Sequence, residues 1–369
     1  MQTTTWKFYN TGEEAWKAML EACVNAKKSI DLEQFLFVSD DIGKLFIDVC
    51  TQKAQEGVKV RFLWDAAGSF TFFGSSLASD LRKKGIELVF FNTLVPRLLD
   101  LHDYRFWFLR NHRRSLIVDD EMAFTGSICL SDRMREWRET HIKIEGDVVM
   151  EIRKAFDAMW DRAHGKKTHW TGRELIASDG FNYVTNNPMP RRRFLYYRVV
   201  DAIRTSQKYV YITTPYLVPT KRLLRVILLA AHRGVDVRII LPRGSDHPLV
   251  DLCARSFFSR LLKAGVKIYL YDGMKNSHAQ SGGTMIHNKT IVIDDEWATV
   301  GTLNLDNISL LYNYEGNIIT TNFDCVQELK DHFDKDQHQS TRIDFETWKK
   351  RIFFKKIIEK ASRLVSKFL

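Results

Sequence analysis

The chain has 369 residues, of which 45% are hydrophobic and 27% charged, a balance that provides a packed core and excludes a disordered chain. A formal net charge of +10 favours anionic partners (nucleic acid, lipid headgroups or phosphate esters) without choosing among them. The first residues carry no basic or apolar leader, and no run of about 18 apolar residues occurs, so neither a signal peptide nor a membrane-spanning helix is expected, leaving a protein that is soluble or lies on a membrane surface.

In chain order, Phe8-Tyr9-Asn10 precedes a capping box at Thr11 and Glu14. Trp16, Met19, Leu20, Cys23 and Val24 then recur at helical spacing. A strand is expected over 29–37, then a helix ending near Gly57 and a strand over 58–64. A further helical stretch ends at Gly85, before a strand over 86–91. Two aromatic stretches, Phe70-Thr71-Phe72-Phe73 and residues 104–109, suit core burial better than contact with a membrane. The polar run from Gly165 to Gly172 reads as a linker, dividing the chain into residues 1–168 and 169–369. After it the same order returns: a helix over 196–205 and strands over 209–213, 235–241 and 266–271. Gly234 and Gly265 stand 177 and 180 residues after Gly57 and Gly85. Alternating strands and helices, written twice, predict an α/β architecture of two related halves. The five cysteines (Cys23, Cys50, Cys129, Cys253 and Cys325) are scattered and never form C-x-x-C, which fits a reducing compartment.

The repeat carries a chemical motif. His112-Arg113-Arg114 leads through Leu116-Ile117-Val118 to Asp119, with Gly126-Ser127 beyond. His287-Asn288-Lys289 leads through Ile291-Val292-Ile293 to Asp294, with Gly301-Thr302-Leu303-Asn304 beyond. The offset is 175 residues from His to His, Asp to Asp and Gly to Gly, and the downstream carboxylates Glu139 and Glu315 repeat at 176. If each motif lies on a strand, His112 and Arg114 share a face, as do His287 and Lys289. Together the copies provide two imidazoles, two cations, hydroxyls and an amide, a set suited to a phosphodiester. One imidazole can attack phosphorus and the other can move the proton. Arg114 and Lys289 would bind the phosphoryl oxygens, with Ser127, Thr302 and Asn304 as further phosphate ligands. Glu139 and Glu315 are the candidates to set the tautomer of each imidazole. A single H-x-R-x4-D is weak evidence. Two copies at one offset are strong evidence.

These residues resemble the phospholipase D superfamily, and within it the bacterial cardiolipin synthases. Four segments carry the second likeness: Leu109-Arg110-Asn111-His112-Arg113; Ile212 to Pro219; Ser245-Asp246-His247-Pro248-Leu249-Val250; and Gly301 to Asp306 with Asn313-Tyr314-Glu315. The resemblance implies two α/β/α halves related by a pseudo-two-fold axis, with the site at their seam. It implies catalysis without metal or cofactor, in which a phosphatidyl group passes through a phospho-histidine to a glycerol-type alcohol or lipid acceptor. It places the nucleophile on His112 and acid–base work on His287. Asp119 and Asp294 complete the motif, tying it to its own half. Three positions depart from the pattern: Arg114 stands for Lys, Cys129 for Asn, and Ile308 for an Arg. The transmembrane anchor that many synthases carry before the domain is also absent from this sequence.

The implied partner is an anionic phospholipid membrane surface, met peripherally on the cytoplasmic side. Residues 348–369 place Ile352, Phe353, Ile357, Ile358, Ala361, Leu364, Val365 and Phe368 at helical spacing among basic residues, which suits either a membrane interface or packing on the domain. Three rival activities stay open: hydrolysis of phospholipid, cleavage of nucleic acid by the same motif pair, and lipid binding without catalysis.

Overall fold

The computed structural model describes residues 3–93, 109–168, 179–273 and 284–369. The first seven strands are β1 (Thr5–Tyr9), β2 (Ser29–Gln34), β3 (Lys59–Asp65), β4 (Glu87–Phe91), β5 (Ser115–Val118), β6 (Met122–Gly126) and β7 (His141–Glu145). They form one sheet in the order β1-β7-β6-β5-β2-β3-β4. The next eight are β8 (Phe181–Asn186), β9 (Tyr209–Thr213), β10 (Asp236–Pro242), β11 (Lys267–Tyr271), β12 (Thr290–Ile293), β13 (Trp297–Gly301), β14 (Glu315–Thr320) and β15 (Ser340–Arg342). Their order, β8-β14-β13-β12-β9-β10-β11 with β15 added at the edge, repeats the first sheet strand for strand. Each sheet has three parallel strands, β2-β3-β4 or β9-β10-β11, flanked by antiparallel motif strands. The expected α/β repeat is therefore present.

Alternation along the strands divides the core. Ile30, Leu32, Val60 and Phe62 pack outward against the Gly12–Asn25 and Asp41–Gln55 helices, and Val210, Ile212, Val237 and Ile239 do the same in the second half. The opposite faces of both sheets join in a third cluster with the Val148–Ala163 and Phe323–His338 helices, which binds the halves together. On that inner face the first half also buries charge. Arg61 donates to Asp31 at 2.5 and 3.0 Å, and Glu33 accepts from Asn111, Arg113 and Ser115. Each buried carboxylate is thus paired, as its desolvation requires.

Several expectations meet small corrections. The strand expected to reach residue 37 stops at Gln34, because the chain turns so that Phe37 bridges Leu130. Thr11 caps its helix through Glu14 N at 3.3 Å, but the returning Glu14 carboxylate takes Asn10 N rather than the Thr11 amide. Gly57 and Gly234 have φ of 92° and 90°, the left-handed conformation expected after a helix. All five cysteines are free and buried. The aromatic loop divides: Phe72 is buried against Phe37 and Trp64, whereas Phe70 is 66% exposed. Residues 104–108 and 169–172 lie outside the described residues. Among the described residues no helix is long and apolar enough to cross a membrane. The Phe353–Ser362 helix packs along the Pro248–Lys263 helix and leaves Ile357 and Ile358 exposed.

Candidate active site

Asp119 and Asp294 occupy the left-handed region, with φ of 56° and 58°. Asp119 accepts the backbone N–H groups of Lys27, Lys28 and Ser29 at 2.9, 2.6 and 2.8 Å. Asp294 accepts those of Gln207, Lys208 and Tyr209 at 2.6, 2.8 and 2.7 Å. Each carboxylate thus fixes the turn that enters β2 or β9, at the end of the motif strand away from the histidine. These two motif residues hold the frame and do not meet the imidazoles.

The histidines stand just ahead of β5 and β12 rather than on them. What places them is the opposite half. Asn111 forms a parallel bridge to Tyr314, and Ile286 forms one to Arg138. His112 N donates to Tyr314 O at 2.9 Å, and His287 N donates to Arg138 O at 2.7 Å. The residue after each bridged partner is a glutamate, so the carboxylates cross the seam. His112 Nδ1 lies 2.9 and 3.0 Å from the two Glu315 oxygens. His287 Nδ1 lies 2.8 Å from Glu139 Oε1. An ionised carboxylate can only accept, so both Nδ1 atoms carry hydrogen and both Nε2 atoms present a lone pair. The cations stand at those lone pairs: Arg114 Nη2 is 2.9 Å from His112 Nε2, and Lys289 Nζ is 3.1 Å from His287 Nε2.

Burial dominates the electrostatics. It pushes His112 down to about 4, with the Arg114 cation reinforcing it and Glu315 opposing it. His287 is lowered for the same reason, against the pull of Glu139. Burial also pushes Lys289 down to about 7, opposed by Glu139 and reinforced by Arg114. Burial would raise the Glu139 carboxyl, but His287 and Lys289 beside it hold it below the usual carboxylate range. The site therefore sets two imidazoles that burial keeps neutral close to basic groups, an arrangement suited to an anion.

The remaining sequence candidates divide. The Thr302 hydroxyl donates to Glu315 Oε2 at 2.5 Å, and the Ser127 hydroxyl donates to Thr140 O at 3.1 Å. Both are fully buried, and these bonds tie them to the segments that carry Glu139 and Glu315. Neighbouring strands approach closely just before them: a Cβ on Gly126 would lie 2.6 Å from Thr140 O, and one on Gly301 would lie 2.3 Å from Asn317 Oδ1. Asn304 is buried, and its Oδ1 has no hydrogen-bond partner among the described residues, so this amide remains open to a bound group.

Sequence reasoning missed three rings and the contact that one thiol makes. Phe35 lies edge-on to His112, with ring centroids 4.9 Å apart. Trp137 and Tyr216 flank His287 at 5.3 and 6.1 Å. Trp137 stands two residues before Glu139, a position the repeat could have marked. Cys129 Sγ accepts from Arg114 Nε at 2.8 Å, so the cysteine at the expected Asn position holds the arginine at the expected Lys position.

The family described as cardiolipin synthase, PLD-like domain, matches residues 19–160 and 199–337, one match to each half. Cardiolipin synthase 1 of Bacillus cereus is 32% identical over 99% of this chain and 73% of its own length. Cardiolipin synthase 2 of Bacillus anthracis is 31% identical over 100% of this chain and 71% of its own. The fold is similar to that of a phosphatidylserine synthase from Haemophilus influenzae, with a TM-score of 0.76 at 13% identity, covering 99% of this chain and 95% of that one. With its repeated motif, its paired sheets and these relatives, the chain belongs to the cardiolipin synthase family of phospholipase D-like proteins.

Proposed function

We propose that this protein transfers the phosphatidyl group of one phosphatidylglycerol to the headgroup of a second, giving cardiolipin and glycerol. Its family makes it a phospholipase D superfamily phosphatidyltransferase. The donor, acceptor and covalent intermediate go beyond that. The observation carrying the proposal is the crossed arrangement: each imidazole has Nδ1 on the other half's glutamate and Nε2 beside a cation. In the first step His112 Nε2 forms a bond to phosphorus, and the bond from phosphorus to the glycerol oxygen breaks. His287 supplies the proton that the departing glycerol takes up. The anionic phosphodiester raises the proton affinity of His287, offsetting the effect of burial. In the second step the acceptor hydroxyl gives its proton to His287 and attacks phosphorus, and the N–P bond breaks. Arg114 and Lys289 stabilise the phosphoryl oxygens in both steps. Water entering in place of the alcohol would produce phosphatidic acid, so the two outcomes differ only in the acceptor.

The experiment is to incubate the purified protein with phosphatidylglycerol vesicles and identify products by mass spectrometry. Cardiolipin and glycerol should appear together. Phosphatidic acid as the main product would make the protein a hydrolase. Cleavage of single-stranded nucleic acid with unchanged lipid would make it a nuclease.

A further inference from the structure

Residues 348–369 contain eight lysines and arginines and one acidic residue, Glu359, and so carry much of the chain's excess positive charge. Glu359 is buried and paired with Arg351 at 2.7 Å, so no exposed carboxylate in this stretch offsets its cations. The segment is firmly seated. Trp348 packs on Phe258 with centroids 5.2 Å apart and donates to Ser259 Oγ at 3.2 Å. Arg363 Nε donates to Ser256 Oγ at 2.8 Å. Farther along, Asn307 Nδ2 donates to Ser366 O at 2.7 Å, and Ile308 N donates to Leu369 O at 3.2 Å. With those contacts made, Ile352 is still 66% exposed and Leu364 83% exposed, and Ile357 and Ile358 are also open. Single exposed aliphatics are ordinary on a protein surface. Four of them within thirteen residues, interleaved with cations, form an interface for an apolar layer bearing negative charge.

The location relates this surface to the site. Asn307 and Ile308, which hold the end of the segment, directly follow Asp306, two residues beyond Asn304. On the first half the exposed Phe70 occupies the loop after β3. Its neighbour Ser69 donates to Phe35 O at 3.3 Å, and the Phe35 ring lies against His112. The exposed Phe70 is thus one residue from a serine bonded to the residue whose ring flanks His112.

We propose that the 348–369 segment docks the protein on an anionic phospholipid bilayer, with Ile352, Ile357, Ile358 and Leu364 entering the interface and the exposed Lys350 and Lys360 against the headgroups. Phe70 makes a second contact across the seam, so the opening to His112 and His287 faces the lipid. Only that last orientation rests on the proposed function; docking is separable from it.

The test measures co-sedimentation of the full chain with phosphatidylcholine vesicles containing or lacking phosphatidylglycerol. The native protein should bind those with phosphatidylglycerol and should be released by high salt, since headgroup attraction is screened. The double variant Ile357→Asp, Leu364→Asp should bind at least about ten-fold more weakly, as should Lys350→Glu, Lys360→Glu. Both variants should keep native turnover of phosphatidylglycerol dispersed in detergent, because neither touches the site. Native-strength vesicle binding by both variants would overturn the proposal, as would equal binding of the native protein to vesicles without phosphatidylglycerol. Loss of detergent-phase turnover in folded variants would also overturn it, placing the segment in the site. Docking that is lost in the variants, with no turnover of any lipid by the native protein, would uphold the surface and remove the proposed function instead.

Discussion

Arg114 and Cys129 occupy the positions that hold Lys289 and Asn304 in the second half, and the contact between them gives the exchange a reason. A guanidinium has a second donor to place, and Cys129 Sγ takes it at 2.8 Å while Arg114 Nη2 reaches His112. A lysine has no such fork. Arg114→Lys and Cys129→Asn should therefore each lower kcat/KM by roughly ten-fold, whereas the double variant should recover to within a few-fold, a coupling in the range found for residues in contact. Simple additivity of the two losses would show that the pair acts independently. The two cations also differ in how firmly they hold their charge. Lys289 is pushed down to about 7 by burial, so it is charged below that pH and neutral above it. Affinity for an anionic substrate should consequently fall as pH rises through about 7, appearing in kcat/KM on detergent-dispersed lipid. Lys289→Arg should remove that alkaline limb, since arginine keeps its proton. An unchanged limb in this variant would assign the titration to another group.

At the scale of elements, Asp119 and Asp294 were expected to tie each motif to its own half, and each carboxylate does so by serving three backbone N–H groups at the entry to a neighbouring strand. Asp119→Ala should cost about 2–4 kcal/mol of stability, measured by denaturant unfolding, because it leaves those donors without a charged acceptor. Asp119→Asn should cost less, since asparagine tolerates the left-handed backbone. Turnover per folded molecule should change little in either variant, and a specific loss of kcat would return the aspartate to the chemistry. The strands themselves were legible because their apolar runs and terminal glycines recur twice. Less legible were the charges of the inner face. Asp31 and Glu33 alternate with Ile30 and Leu32, a pattern that ordinarily means a solvated face, whereas here Arg61, Arg113 and Arg153 bury and neutralise them. The roles of Ser127 and Thr302 were hidden for a related reason. Spacing placed their hydroxyls near the site, but only the fold reveals that they bond to Thr140 O and Glu315 Oε2.

At the scale of the molecule, neither half contains a complete site. The repeat identified both histidines and both glutamates, but a sequence cannot say which carboxylate serves which imidazole when the two copies are equivalent. The seam decides it, through two parallel bridges that carry each glutamate across to the other half's histidine. Arg138 adds to the joint by donating to Asp336 at 2.7 Å while its backbone receives His287 N. In the proposed reaction this seam builds one covalent site with unequal roles, His112 attacking and His287 moving the proton. The most direct measurement uses a phosphatidyl ester whose leaving group needs no proton, such as a p-nitrophenyl ester. It is presented to the His287→Ala and His112→Ala proteins, and the adduct is mapped by mass spectrometry at neutral or alkaline pH, where phospho-histidine survives. A phosphatidyl adduct on His112 in the His287→Ala protein, with none in the His112→Ala protein, is the predicted result. An adduct on His287 in the His112→Ala protein, with His112 unmodified in the other, would contradict it.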